Sequence, residues 1–364
     1  MTASRHLLVR SVNWLGDAVM AMPALQRLRE ALPHTRISVL THQKLADLWA
    51  LQPAVDAVIP FAADETVWRI GRRLRALDCD TALVLPNSPR SALECWLARI
   101  PRRIGRAGAW RRLFLTEALP DFPGAVPMRK RTPAEVHTRI ANGAAPDRFP
   151  AQSHHAWHYL HLASALGARA ELLPPWLAVP AEELARIKSD FVLPLATPLL
   201  GLVPGAEYGP AKRWPADRFA AVAQEILRRH GCHCVIFGGA RDAEVAATLT
   251  AALPPGTATN LAGRTTLRQL VAALAVCRVV LTNDTGPMHL AAAAGAAVVV
   301  PFGSTSADLT GPGLPDDTRH QLIRAQAPCS PCFLRECPVD LRCMMGITVE
   351  QVTAAVDVAW HRAG

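Results

Sequence analysis

Short apolar runs that alternate with amphipathic stretches constrain this chain more than any other feature. LLVRSV at residues 7–12 passes through the turn NWLGD into AVMAMPALQRLREAL, and RISVL, DAVIPF and TALVLP follow with helical segments between them. Strands that are apolar along their whole length must be buried on both faces, which a parallel sheet covered by helices achieves. The alternation therefore predicts an α/β fold. Residues 166–197 then turn proline-rich (ELLPPWLAVP, VLPLATP) around a short helical piece at 182–189, as a domain connection does. Beyond it the pattern restarts with PLLGLVPG, a helix over Ala216–His230, CHCVIFGG, a helix near Ala243, a helix at 267–277, RVVLTND, a short helix and AVVVPFG. A chain of 364 residues also exceeds what one core organises, given about 150 residues per domain. Two Rossmann-like domains are expected, 1–175 and 176–364, each holding ligands at the carboxyl ends of its strands.

Several classes are set aside by the same inspection. The longest apolar run, 290–302, is too short for a membrane-spanning helix and reads as a buried helix, turn and strand. The amino terminus enters strand-like sequence without a signal core, so a cytoplasmic address is expected. Nine cysteines, scattered singly apart from one late cluster, do not form the disulfide framework of a secreted domain.

Charge is uneven. Residues 1–182 carry 23 Lys and Arg against 15 Asp and Glu, while 183–364 carry 16 against 15. Within 99–131 lie nine basic residues, among them Arg102, Arg103, Arg111 and Arg112, against only Glu117 and Asp121. Such a stretch attracts phosphates or an anionic membrane surface, or else it is a solvated basic loop. It lacks the interleaved aromatics of a single-strand binder, so no nucleic-acid partner is expected.

Two turns carry the chemistry. In RVVLTNDTGPMHLAAAAG a buried strand ends at Asp284 and a helix opens through Thr285, Gly286 and Pro287, with His289 one turn in. Glycine admits a phosphate to the backbone, and the free amides and positive dipole end of the helix stabilise a diphosphate. The bland reading has Asp284 and Thr285 as helix caps and His289 as packing. After PLLGLVPG, the turn AEYGPAKRWP places Lys212 and Arg213 at the end of another strand, where two cations reach a leaving diphosphate. At the head of the chain, Asp17 stands where the first strand meets the first helix, placed for a general base or for an N-cap.

NWLGDAVMAMPAL, PGAEYGPAKRWP and NDTGPMHLAAAAG resemble the ADP-heptose:lipopolysaccharide heptosyltransferases, glycosyltransferase family 9, and most closely the type II members; the resemblance runs through nearly the whole chain. It implies a GT-B fold, two Rossmann-like domains facing a central cleft, and an inverting reaction with no metal and no cofactor. It also implies an ADP-heptose donor held by the second domain and a Kdo-lipid A core acceptor, already bearing a first heptose for type II members, held by the first. Peripheral contact with the cytoplasmic face of the inner membrane of a Gram-negative bacterium follows from that acceptor. Motif by motif, the catalytic aspartate falls on Asp17, the donor-phosphate lysine on Lys212, and the donor-binding residues on Asp284, Thr285, Gly286 and His289. Where type I members have paired threonines and a ribose-binding glutamate, this chain has Glu207, Tyr208 and Arg241, the direction in which type II members differ.

Two further patterns are weighed. Cys329, Cys332, Cys337 and Cys343 approach a metal-site spacing, but the second pair is too far apart for a typical ribbon, and a packed loop of thiols is expected. Asp78 and Asp80 around Cys79 mimic a metal-holding DxD, yet precede a buried strand and read as a turn. A sugar-nucleotide epimerase on the same fold, a type I acceptor, and a non-catalytic binder of anionic lipid are the competing functions. Product analysis separates the first two from the reading preferred here, and the third leaves the anion turn unexplained.

Overall fold

The computed structural model describes residues 4–108, 110–194 and 196–363, and the chain divides into two compact units. One unit comprises the residues up to Ala125 with His154–Ala178; the other comprises Val126–Ser153 with everything from Val179 onward. The single boundary expected near residue 175 thus falls close to the crossing at Ala178 and misses the excursion before it. The excursion is held in the second unit by backbone chemistry that proline content does not reveal. Arg131 donates through its backbone to the Cys332 carbonyl at 3.0 Å, and its guanidinium reaches the carbonyls of Cys329 and Pro331. Asp147 donates to Ser330 O at 3.0 Å, and Val136 packs against Cys329 and Cys332.

The first unit holds six parallel strands, β1 (His6–Arg10), β2 (Arg36–His42), β3 (Ala57–Phe61), β4 (Thr81–Val84), β5 (Arg102–Arg106) and β6 (Glu117–Leu119), in the order β3-β2-β1-β4-β5-β6. The second holds β7 (Leu199–Val203), β8 (His233–Ile236), β9 (Ala258–Asn260), β10 (Val279–Thr282), β11 (Ala297–Phe302) and β12 (Gln321–Arg324), ordered β12-β11-β10-β7-β8-β9. Counted from its own first strand, each sheet has the same sequence of neighbours, the Rossmann order. The strand order reverses between β1 and β4 in one sheet and between β7 and β10 in the other, and ligands of such sheets sit at the carboxyl ends beside that reversal.

The core follows the apolar runs. Leu7, Leu8 and Val9 of β1 are fully buried, as are Val279, Val280 and Leu281 of β10. Helix Ala216–His230 buries Phe219, Val222, Ala223 and Ile226 at helical spacing and stops at Gly231, whose φ of +57° is the left-handed cap that glycine adopts readily. The first helical stretch is two helices, Leu15–Met20 and Met22–Ala31, because Pro23 in the first turn of the second cannot continue the first. Strands β5 and β6 lie inside the basic stretch, where no strand was expected. Their arginines hid them, although Ile104 and Gly105 are buried. Asp80 is no metal ligand but a staple: it accepts from the amides of Arg5 and His6 and from the hydroxyls of Ser4 and Thr81, which hold its carboxyl below the usual range. Among the described residues no helix is long and apolar enough to cross a membrane.

Candidate functional site

In the second unit, the loops leaving β7 and β10 meet at the strand-order reversal. Lys212 Nζ lies 2.6 Å from Asp284 Oδ2, both side chains largely buried, and the Thr305 hydroxyl donates to the same oxygen. Asn283, fully buried between them, joins the loops: its amide donates to Pro204 O at 2.7 Å and its oxygen accepts from Trp214 N at 3.0 Å. Asn283 was visible in the motif but its bridging role was not. Helix Gly286–Ala293 begins here, and Thr285 at its N-cap makes no side-chain capping bond. The first-turn amides are therefore not taken up by their own cap, the condition for holding an anion. The capping role weighed for Asp284 is displaced by its pairing with Lys212. His289 is buried in the same helix.

The β7 loop needs small residues to take this shape. A Cβ on Gly205 would lie 2.4 Å from the Asp242 carboxylate, which itself accepts from Gly239 N, and a Cβ on Gly209 would lie 2.5 Å from Arg335 O. Tyr208 stands between two cations, Lys212 Nζ at 5.0 Å and Arg335 Cζ at 5.1 Å from its ring, and donates to Phe333 O at 2.9 Å. Arg213 does not stand beside Lys212 as the motif suggested. It is exposed, and its guanidinium turns back to Ala206 O at 3.3 Å.

In the first unit, Asp17 lies in the first turn of Leu15–Met20, the helix that follows β1. It does not cap: Trp14 holds the N-cap position. The loop before it is fixed by Arg10, whose presence in an apolar strand was the one available signal. Arg10 Nε meets Glu94 Oε2 at 2.7 Å, both side chains almost wholly buried, and Nη1 donates to Ser11 O and to Asn13 Oδ1. The Tyr159 hydroxyl donates to Asp17 Oδ1 at 3.1 Å. Its helix, Ala156–Ser164, carries His158 and is preceded by His155 at the N-cap; burial and neighbouring positive charge push His155 down to about 3 and His158 to about 4, so both are neutral at pH 7.

The basic stretch is largely compensated. Arg102 makes a two-pronged pair with Glu117 on the neighbouring strand, Arg103 donates to the carbonyls of Phe114 and Ile100, and Arg106 pairs with Asp121. Arg102 and Arg103 therefore tie β5 to β6 and to the loop between them, where the sequence suggested an open contact surface. Arg112 is exposed. Arg111 is different: it is 2 % exposed, donates to Asn87 Oδ1 at 3.2 Å, and leaves Nε and Nη2 without a hydrogen-bond partner.

Cys329, Cys332 and Cys343 are buried, Cys337 is half-buried, and all are free thiols. Burial raises the first three, Cys343 to about 12, so they sit as neutral packing groups. Among the described residues no cluster of three or more His, Cys, Asp or Glu is disposed to hold a metal ion.

Residues 67–342 match the sequence profile of Glycosyltransferase family 9 (heptosyltransferase). Lipopolysaccharide heptosyltransferase 2 of Salmonella typhimurium is 34% identical over 316 residues, covering 84% of this chain and 85% of that protein. Among solved structures, that of E. coli ADP-heptose LPS heptosyltransferase II superposes with a TM-score of 0.77 at 28% identity, covering 98% of this chain and 99% of that one. A family 9 glycosyl transferase from Veillonella parvula superposes with a TM-score of 0.79 at 22% identity, over 98% and 97% of the two chains, which bears on the fold.

Proposed function

Because the chain belongs to glycosyltransferase family 9, the heptosyltransferases, we propose that it moves L-glycero-D-manno-heptose from ADP-heptose onto the heptosyl-Kdo-lipid A inner core of lipopolysaccharide, the heptosyltransferase II reaction. The acceptor assignment is supported by the match to a type II relative over 84% of this chain and 85% of that protein. The observation that carries the donor assignment is the Lys212–Asp284 pair at the head of helix Gly286–Ala293, beside the β7/β10 reversal.

The second unit is the donor domain in this reading. Lys212, the amides of the Gly286 turn and the positive end of its helix offset the charge that builds on the ADP diphosphate as its bond to the sugar breaks. Asp284 keeps the ammonium aimed, while Thr285, Gly286 and His289 line the donor and Arg213 contributes at the rim. The first unit binds the acceptor, and Asp17 removes the proton of its attacking hydroxyl while ADP leaves from the opposite face of the sugar, which inverts the anomeric centre. Arg111 and Arg112 meet acceptor phosphates or carboxylates in preference to Arg102 and Arg103, whose donors are already committed. An acceptor rooted in lipid places the enzyme in the cytoplasm, against the inner membrane.

The test is an assay that offers ADP-heptose with Kdo-lipid A and with heptosyl-Kdo-lipid A in turn. Transfer to the second alone is expected. Transfer to the first alone gives the type I reaction, and conversion of the donor without any transfer gives an epimerase.

A further inference from the structure

The carboxylate proposed as base does not hold its position unaided. Tyr159 is 142 residues further along the chain, and reaches Asp17 because helix Ala156–Ser164 packs on helix Met22–Ala31, the helix that follows the one carrying Asp17. Its side chain is buried, and its hydroxyl donates to Asp17 Oδ1 at 3.1 Å. A buried phenol requires a partner, and here the partner is a carboxylate, so the bond is charge-assisted and favours one rotamer. Burial and the adjacent carboxylate hold the phenol well above its usual range, so Tyr159 is a neutral donor at working pH and does not compete for the acceptor's proton.

We propose that Tyr159 is the positioning residue of the catalytic base: its hydroxyl fixes the plane and rotamer of the Asp17 carboxylate that accepts the proton of the acceptor hydroxyl. The inference rests on the assignment of Asp17 as base. A base misplaced by a fraction of its hydrogen-bond length loses rate without loss of substrate affinity, so the effect belongs in kcat and not in KM.

The experiment is a double-mutant cycle with Tyr159→Phe, which removes the hydroxyl and keeps the ring, and Asp17→Asn. Tyr159→Phe is expected to lower kcat by roughly tenfold or more, a factor that corresponds to about 1.4 kcal/mol, with both KM values within about twofold and the melting temperature close to wild type. In the Asp17→Asn background the same change is expected to cost nothing further, because the group it positions no longer acts as a base. An unchanged kcat in Tyr159→Phe overturns the proposal, as does an equal loss in both backgrounds, which assigns the hydroxyl to something other than Asp17. A rise in KM with kcat intact also overturns it, making Tyr159 a binding residue. If Asp17→Asn itself turns over normally, the base assignment fails and this inference falls with it, an outcome distinct from additivity in a cycle where Asp17→Asn is crippled.

Discussion

The stretch at 99–131 and the loops that follow β7 and β10 both gather cations, yet the structure uses them in opposite ways. In the first, β5 and β6 set arginines beside Glu117, Asp121 and free carbonyls, so that most of the charge visible in the sequence closes on itself. In the second there are fewer cations, but Lys212 is largely buried and held by a carboxylate at a helix head, where backbone dipoles already favour an anion. A charge count locates the first region and undervalues the second. What distinguishes a binding cation is the partner it already has and the field it stands in, and in the first region Arg111 departs from its neighbours by being buried with two nitrogens that have no hydrogen-bond partner.

The largest effect separates both regions from the chemistry. Asp17→Asn should lower turnover by about a hundredfold or more, the scale of general base catalysis, while leaving ADP-heptose affinity nearly unchanged, since the loops proposed to hold the donor belong to the other unit. Turnover close to wild type in a folded variant would take Asp17 out of the mechanism.

Next is the pair itself. Lys212→Ala removes the cation and leaves Asp284 buried and without its ion-pair partner, a change of about 3–5 kcal/mol where such pairs are broken. Stability should fall in urea titration, and ADP-heptose affinity should fall by roughly tenfold or more in calorimetry. Adding Asp284→Ala should restore much of the stability, because the isolated charge is gone, without restoring affinity. If affinity returns together with stability, Lys212 is a structural residue and the contrast between the two regions collapses. His289→Ala should weaken donor binding without the loss of stability that follows a stranded charge.

Much of this was legible in the sequence, in proportion to how local its cause is. Apolar runs fixed eight of the strands, and the helix Ala216–His230 could be bounded to the residue because Pro215 and Gly231 flank it. The Gly-Pro turn after Asp284 announced a helix head for a similar reason. Strands β5, β6, β9 and β12 escaped, since three-to-five-residue strands with polar or half-buried faces lack an apolar run. Side-chain pairs between distant segments escaped altogether: Arg10 with Glu94, Tyr159 with Asp17, and Arg131 with the Cys329 loop have no period and no spacing to announce them.

A smaller effect tests Arg111 against its neighbours. A buried guanidinium with two unpartnered nitrogens costs stability until an anion meets it. Arg111→Gln should therefore raise the KM for a lipid-linked acceptor several-fold with little change for ADP-heptose. Arg102→Gln and Arg103→Gln should instead loosen β5 and β6 and lower the melting temperature. Wild type should lose acceptor affinity as salt rises, the Debye length shrinking from about 10 Å at 0.1 M to about 3 Å at 1 M. A variant with Arg102, Arg103, Arg111 and Arg112 all replaced by Gln should respond less. Equal salt slopes for the two proteins would make the whole stretch a compensated face, with Arg111 no exception.

The smallest expected effect is none at all. A diphosphate leaving group needs positive charge, which many transferases draw from a divalent cation bridging phosphate and carboxylate. Here the carboxylate best placed for that task, Asp284, is taken up by Lys212 and Thr305. The DxD-like pair elsewhere in the sequence is no substitute, since Asp80 is taken up by the chain's own amino-terminal amides and hydroxyls. If Lys212 and the head of helix Gly286–Ala293 supply the counter-charge, as proposed, heptosyl transfer should proceed at an unchanged rate in excess EDTA. A loss of activity on chelation that magnesium or manganese restores would mean that an ion displaces Lys212 from Asp284 during turnover. The second region would then share the first one's fault, with its cation closed on its own carboxylate and not on the substrate.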